Sequence, residues 1–490
     1  MKTAILNKGK EEKYFNQYPL VEEEDLFQHD QLEEGDVFHL LTSTNVYIAT
    51  CYVGHQHKGL GWILTYQKDK VIDQAFFEQL FEQALEVGQK PISFVDAMYV
   101  ATSAFTVTGL TTVDITEQFN VLGHTVIMLL IQIGGMGIVA VSLLTLMISQ
   151  KKITFQNNQL FKLELNIDET INVVNFAKFI FIFTVVFEAL GAMILATVFV
   201  PEYGWSKGMF ISVFTSISAL NNAGFSLFSD NLVSYASDPV VNLMIAILII
   251  VGGIGYIVLF DLMTTRHLKR LHVHTKVTLF VTFILIVVGT LGFLILEHHH
   301  ALKGMSFPQQ ILVSFFQSVS TRTAGFNTID FSHLAPGTLM LTMILMFIGA
   351  GPISAAGGIK VTTFTLVLLY VITSLKGHRY TQVFHRSIDQ KQTQKAVAIT
   401  LTAMMFIIFI IFWFAVAQPN LQFEAIAFEV ISAFGTVGLS TGISTEYDTF
   451  AKALIIITMI AGKIGVLTLL GVLHNRTRET FHYAKSHLYL

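Results

Sequence analysis

Seven apolar runs constrain this chain more than any other feature: about 121–149, 173–200, 239–262, 277–297, 336–372, 396–417 and 450–473. A bilayer core of about 30 Å takes roughly 20 apolar residues as a helix, and every run is long enough. Core helices of a soluble protein would be shorter and separated by more charge. Of 490 residues, 13% are charged and 53% apolar, whereas soluble domains carry about 25% charged residues. A soluble enzyme is therefore excluded. Cys51 is the sole cysteine, which excludes an internal disulfide and leaves one handle for thiol labelling.

Charge divides the chain. Residues 1–89 hold 7 Lys and Arg against 15 Asp and Glu, and the remainder holds 23 against 19. The boundary near Gly88–Pro91 separates an acidic, water-soluble segment (1–88) from a membrane segment (91–490). Met1–Lys10 lacks the apolar core of a signal peptide. Lysine and arginine concentrate in alternate connections: Lys151, Lys152 and Lys162; Arg266, Lys269, Arg270 and Lys276; Lys376, Arg379, Arg386, Lys391 and Lys395; then Arg476, Arg478 and Lys485. By the positive-inside rule these mark the cytoplasmic face. The expectation is a multi-pass protein of the cell membrane with its C-terminus in the cytoplasm.

Between the runs lie four short amphipathic segments, about 93–105, 207–220, 308–321 and 424–434. Each is too short to cross, and each enters a small polar stretch. Aligned on one glycine, they read Ser103-Ala-Phe-Thr-Val-Thr108-Gly109-Leu110, Ser218-Ala-Leu-Asn-Asn-Ala223-Gly224-Phe225, Val319-Ser-Thr-Arg-Thr-Ala324-Gly325-Phe326 and Ser432-Ala-Phe-Gly-Thr-Val437-Gly438-Leu439. The glycines are 115, 101 and 113 residues apart, and a repeat of this length is read before any single motif. Each following run repeats a glycine cluster: Gly134-Gly135-Met-Gly137, Gly252-Gly253-Ile-Gly255, Gly349-Ala-Gly351 through Gly357-Gly358-Ile-Lys360, and Gly462-Lys463-Ile-Gly465. The unit is outer helix, pore helix, glycine loop, inner helix. Four units about an axis would bring four glycine loops to one depth, where extended backbone supplies carbonyl oxygens to a dehydrating cation. A lone glycine would be read as a packing site, but four in the same order are not. The inner-helix glycines read equally well as close helix packing.

These motifs carry a resemblance. Residues 91–490 resemble the Trk/Ktr/HKT superfamily of potassium transport proteins, in a short form similar to the KtrB-type bacterial subunit. The resemblance implies a filter at Thr108, Gly109, Ala223, Gly224, Ala324, Gly325, Val437 and Gly438, with glycine at the first position favouring potassium over sodium. It implies a gate in the interrupted third inner helix, at Gly349, Gly351, Gly357, Gly358 and Lys360, with Lys463 as the basic residue of the fourth. It also implies a homodimer in membrane lipid on a ring of cytosolic nucleotide-binding RCK (KtrA-type) subunits. Potassium is then the transported ion, sodium a candidate activator, and no cofactor is held by this chain. Lys463 reads either as a functional intramembrane charge or as a snorkelling one. Arg322 reads as a pin on pore-helix carbonyls or as an electrostatic element beside the filter. His298–His300 read as solvated loop, because adjacent residues rarely converge on one metal ion.

Residues 1–88 read as a small α+β unit, with alternating stretches at Gly35–Thr50 and Gly59–Thr65 and a helix over Ile72–Glu86. The runs Gly9-Lys-Glu-Glu-Lys-Tyr-Phe15, Glu34-Gly-Asp-Val and Lys58-Gly-Leu-Gly-Trp62 resemble the PUA-like domain of RlmI-type rRNA cytosine methyltransferases. The catalytic domain that would follow is absent, which excludes methyl transfer, and the acidic balance disfavours RNA. The expected fold is mainly α, polytopic, with four helix–pore-loop–helix repeats and an N-terminal PUA-like domain. Seven spans where four units need eight leave the first outer helix missing. That gap predicts poor conduction unless a partner chain supplies the absent helix. If residues 1–88 stay cytoplasmic, 91–120 must cross as an irregular span and the first filter quarter is lost. The alternative reading is a non-conducting, membrane-anchored fusion whose soluble part binds RNA or a protein.

Overall fold

The structure is a computed structural model that describes residues 2–15, 20–32, 36–56, 59–66, 68, 92–137, 173–265, 267–378 and 380–466. The helix expected at 72–86, the junction at 88–91, Lys151, Lys152, Lys162, Arg266, Arg379 and the C-terminal basic residues lie outside the described residues. The chain divides into two compact units, Met1–Lys90 and Pro91–Leu490.

Six strands build the first unit: β1 (Lys2–Leu6), β2 (Leu20–Glu22), β3 (Leu26–His29), β4 (Val37–Leu41), β5 (Tyr47–Gln56) and β6 (Gly59–Thr65). They form one sheet in the order β2-β6-β5-β4-β1-β3, antiparallel except where β1 lies parallel to β4. The alternating stretch at 35–50 is thus β4, a turn with Asn45 at φ 61°, and the start of β5. Strands β1 to β3 escaped the sequence reading because each is five residues or shorter. Ala4, Leu6, Phe38, Leu40, Ala49 and Cys51 fill the core without exposure. The Gly9–Phe15 motif serves this fold directly: Lys10, Lys13 and the Tyr14 hydroxyl converge on Asp25 at 2.8, 2.9 and 2.8 Å. Burial alone would raise the Asp25 carboxyl, but those hydrogen bonds outweigh it and hold the group down at about 2.

The second unit is helical. Its pore helices are Phe94–Thr106, Trp205–Leu220, Phe307–Ser320 and Phe423–Gly435, each within two residues of the segment expected from sequence. Outer helices Val173–Tyr203, Val273–Glu297 and Gln390–Ala417 precede the last three, and these three are long and apolar enough to cross a membrane. Large apolar side chains on them stay exposed, such as Ile182, Met193, Phe283, Ile295, Met405 and Ile408. So broad an apolar surface belongs against lipid. Among the described residues no outer helix precedes the first pore helix.

The inner helices are shorter than the apolar runs implied. The first stops at Met136, and Gly137 follows at φ 82°. The run at 239–262 is two helices, Pro239–Ile254 and Tyr256–Thr264, bent by 91° about Gly255. The run at 336–372 is Pro336–Phe347 and Val361–Leu375 with irregular backbone between them, and the last inner helix, Thr449–Ile464, ends at Gly465. Hydropathy cannot see such breaks, because a glycine at positive φ is as apolar as one within a helix. Three inner helices start on side-chain caps: Asn120, Asp238 and Asp448 each accept from a backbone N–H of the first turn, worth about 1 kcal/mol apiece.

The fully buried Cys51 thiol changes its use as a reporter. Burial raises its pKa and keeps it protonated. A membrane-impermeant maleimide should leave the native chain unlabelled on either side of a membrane and should react fully in denaturant. Rapid labelling of native protein would contradict the sheet register.

Candidate ion pathway

Each pore helix ends in the same device. The residue two before the motif glycine takes a left-handed conformation: Val107 at φ 60°, Asn222 at 56°, Thr323 at 73° and Thr436 at 49°. Such angles are rare outside glycine and strained for the β-branched Val107, Thr323 and Thr436. The turn folds the chain back on the helix it has just left. Thr108, Ala223 and Val437 donate their N–H groups to the carbonyls of Ser103, Ser218 and Ser432 at 2.8, 2.7 and 2.9 Å, and Ala324 donates to Ser320 at 2.9 Å. The recurring serine has a clear part in two loops: the N–H of Gly109 donates to Ser103 Oγ at 3.0 Å, and that of Gly438 to Ser432 Oγ at 3.2 Å. Ser218 Oγ has no such partner. Leu110, Phe225, Phe326 and Leu439, which follow the glycines, are buried as anchors.

Gly109, Gly224, Gly325 and Gly438 all have positive φ, at 94°, 69°, 76° and 93°. They form a closed ring. A Cβ on Gly109 would overlap the Ala223 carbonyl, one on Gly325 the Val437 carbonyl and one on Gly438 the Thr108 carbonyl, while one on Gly224 would lie 2.6 Å from the Ala324 oxygen. Each glycine thus abuts the loop of the next repeat, and the fourth returns to the first. With the N–H groups turned back to the pore helices, carbonyl oxygens are what the four loops have left to offer. The first repeat joins the ring as the other three do, through Gly109 against Ala223 and Thr108 against Gly438. Its pore helix is tied to the fourth inner helix by Asp96 and Lys452 at 2.6 Å.

Beneath the ring the inner helices press on the pore helices. A Cβ on Gly134, Gly252 or Gly462 would overlap the carbonyl of Phe105, Leu220 or Phe434. Those glycines are packing sites, one of the two readings their sequence allowed. In the third repeat the segment 348–360 leaves the helix and is held by its neighbours. Gly351 N–H donates to the Gly253 carbonyl at 2.8 Å, Tyr256 N–H to Ile353 at 2.8 Å, and Gly358 N–H to Gly462 at 3.1 Å. Gly349 and Gly357 face each other so closely that a Cβ on Gly349 would overlap the Gly357 carbonyl. Lys360 Nζ donates to the Ala356 carbonyl and Lys463 Nζ to the Ala355 carbonyl, each at 2.5 Å. Lys463 therefore turns inward to this segment and does not snorkel. Gly357 N–H donates to Thr436 Oγ1 at 2.9 Å, tying the segment to the left-handed residue of the fourth loop.

Two sequence readings need correction or detail. Arg322 is buried and reaches the third outer helix, at the Thr282 hydroxyl (3.3 Å) and carbonyl (3.5 Å), and not pore-helix carbonyls. His298 bonds Gln310 at 2.8 Å, and among the described residues no cluster of His, Cys, Asp and Glu could hold a metal ion. The polar supports Glu188, Glu297 and Glu429 were missed, since an isolated acid in an apolar stretch carries no spacing signal. Glu297 accepts from Ala335 N–H at 3.0 Å and from Thr338, and Glu429 from Ser440 at 2.5 Å and Thr441 N–H at 3.0 Å.

The serine geometry makes a differential prediction. Ser103→Ala and Ser432→Ala each strand a loop N–H and should cost about 1–3 kcal/mol, read as a lower melting temperature in detergent. Ser218→Ala should cost clearly less, because its hydroxyl bonds nothing. Equal losses at all three positions would contradict the assigned bonds.

Comparison with known proteins agrees with this architecture. Residues 63–475 match a family model described as a cation transport protein, TrkH, and residues 4–66 match a PUA-like domain. The chain is 43% identical over 425 residues to the Ktr system potassium uptake protein B of Bacillus subtilis, covering 83% of this chain and 95% of that protein. It is 37% identical over 405 residues to the potassium/sodium uptake protein NtpJ of Enterococcus hirae, covering 81% and 90%. The crystal structure of the potassium transporter TrkH from Vibrio parahaemolyticus shares the fold, with a TM-score of 0.64, 18% identity and coverage of 84% and 86%. The chain belongs to the TrkH family of cation transport proteins, and is a multi-pass membrane transporter rather than an enzyme.

Proposed function

We propose that the chain carries potassium across the membrane through the ring of four glycine loops. The observation that carries this reading is the closure of the ring, with each glycine against the carbonyl of the next repeat. Potassium sheds water at lower cost than sodium, and a ring of backbone carbonyls replaces that water. Thr108, Ala223, Ala324 and Val437, with the glycines that follow them, are the filter. The C-terminal ends of the four pore helices add partial negative charge beside it. Relatives named as potassium uptake and potassium/sodium uptake proteins support the choice of ion. Participation of the first repeat in the ring favours conduction over the non-conducting alternative.

The segment from Gly349 to Lys360 is the gate. It interrupts the third inner helix between Pro336–Phe347 and Val361–Leu375, it is too rich in glycine to be helical, and Lys360 and Lys463 hold its carbonyls. A segment held by a few hydrogen bonds can move without unfolding a helix. The basic loops face the cytoplasm together with the C-terminus. The protein works as a homodimer with a cytosolic nucleotide-binding regulatory ring, in keeping with relatives named as parts of a Ktr system. Residues 1–88 form a separate PUA-like domain in which Lys10 and Lys13 of the motif are engaged by its own Asp25, which argues against RNA as its ligand.

Potassium uptake by a host that lacks its own potassium transporters tests the reading, and no rescue by a membrane-inserted chain would refute it. Gly109→Ser should lower potassium selectivity over sodium by about tenfold, equivalent to about 1.4 kcal/mol. Unchanged relative permeability would remove the four loops from the filter. Deleting Ser354–Gly357 removes both lysine contacts and the Thr436 bond, and should raise potassium flux several-fold. A fall in flux with normal insertion would make the segment a structural brace.

A further inference from the structure

Pore helices fix the approach to all four motif glycines, and in three repeats a pore-helix side chain also fixes the departure. A threonine stands three residues after the glycine in the first, third and fourth loops: Thr112, Thr328 and Thr441. Thr112 Oγ1 donates to Asp96 Oδ1 at 2.6 Å, and Thr328 Oγ1 accepts from Gln317 Nε2 at 3.0 Å. In the fourth loop Thr441 N–H donates to Glu429 Oε1 at 3.0 Å, and the neighbouring Ser440 hydroxyl donates to the same oxygen at 2.5 Å. Asp96, Gln317 and Glu429 each lie on the pore helix of their own repeat. The glycine in each of these loops is therefore held from both sides. The second repeat has Leu227 at the corresponding place. Among the described residues no side chain of its pore helix bonds the departing strand, and Ser226 Oγ donates to the Asn231 carbonyl at 3.0 Å within its own turn.

Glu429 is the most heavily engaged of the three tethers. It sits midway along the fourth pore helix with no exposure. Its second oxygen, Oε2, accepts from Ser444 Oγ at 3.4 Å, and Ser440 Oγ passes the hold on by accepting from Gly442 N–H at 2.9 Å. The carboxyl is the acceptor at every contact, and a hydroxyl this close to a carboxylate makes a charge-assisted bond, about twice as strong as a neutral one. Among the described residues no lysine or arginine pairs with it. Burying an acid without a basic partner is costly, and the helix does not need one there. The residue nine before the glycine is Val100, Thr215 or Phe316 in the other repeats. The carboxylate is therefore kept for what it holds.

We propose that Glu429 is a positioning residue that sets the ion selectivity of the pathway by holding the outer side of the fourth loop, as Gln317 and Asp96 hold the third and first. The proposal rests on the four loops being the filter. A carbonyl ring tells potassium from sodium by the number and spacing of the oxygens it presents, and both change if a loop is free to pivot. On one side of Gly438 the left-handed Thr436 and the Val437 N–H bond to Ser432 restrain the backbone. On the other side Ser440 and Thr441 do so through Glu429 alone. Without that second restraint the Val437 and Gly438 carbonyls can turn toward a smaller ion. The change does not stay local, because Gly438 abuts the Thr108 carbonyl and Gly325 abuts that of Val437.

The potassium-to-sodium permeability ratio of the full chain in lipid vesicles tests this, because a ratio does not depend on how much protein has inserted. Glu429→Leu removes the tether and should lower the ratio about fivefold, the effect of losing one hydrogen bond's worth of restraint. Glu429→Gln keeps an acceptor oxygen in the same place and should retain most of the ratio. Thr328→Val, which loses only the hydroxyl that Gln317 holds, should shift the ratio in the same direction by a smaller factor. Reduced flux of both ions at an unchanged ratio in Glu429→Leu would make Glu429 a structural residue and overturns the proposal. A loss in Glu429→Gln as large as in Glu429→Leu overturns it too, since charge and not the tether would then matter. If Glu429→Leu does not fold, unchanged ratios in both Ser440→Ala and Thr328→Val overturn it equally. Gly109→Ser, measured alongside, separates this proposal from the filter itself. A shift there with none in the tether variants leaves the filter standing and removes the tethers, and no shift in any variant removes both.

Discussion

Irregular backbone at membrane depth must satisfy its own polar groups, because lipid offers neither donor nor acceptor. The rest of this structure depends on that constraint. Four loops interrupt the helices where lipid cannot satisfy them, and each solves the problem by folding back on the pore helix it has just left. The left-handed residue that makes the reversal is costly, of order 1–3 kcal/mol for Val107, Thr323 or Thr436. Hydrogen bonds to the last turn of the helix and burial of Leu110, Phe225, Phe326 and Leu439 offset that strain. N–H groups are consumed by the fold, and carbonyls remain. The carbonyls so left are the groups that the proposed filter uses.

The inner helices extend the same logic. Glycines 134, 252 and 462 let them touch pore-helix carbonyls, and the last glycine of each cluster, at 137, 255 and 465, ends the helix at positive φ. The third repeat departs from this pattern: its inner helix opens into a segment bonded to the second and fourth repeats and to Thr436. A movement there is coupled to the ring through one side-chain hydrogen bond. The four repeats also differ in their buried polar side chains, with Glu188 behind the second loop and Arg322 behind the third.

The N-terminal unit obeys different physics. Its sheet has a dry core of its own, and its polar motif is consumed by an internal ion-pair cluster around Asp25. The Gly9–Phe15 run is in this case a folding signature, because Lys10 and Lys13 are already engaged.

Hydropathy and repetition determined the membrane class, the order of elements and the four glycines, since long apolar runs and a repeat spaced by about a hundred residues admit few architectures. Pore-helix bounds were legible to within two residues because polar loops and capping residues flank them. Hydropathy did not reveal the breaks at Gly137, Gly255 and Gly465, which are backbone events without a change in polarity. Short strands such as β2 were invisible because three residues carry no period. The partners of Lys463, Arg322 and Glu188 were undecidable from sequence, because each lies on a different element and the contact exists only once the repeats assemble. Sequence determined which residues form the four loops; tertiary structure decided which side chain faces which carbonyl, because those distances are set by how four similar units close on one another.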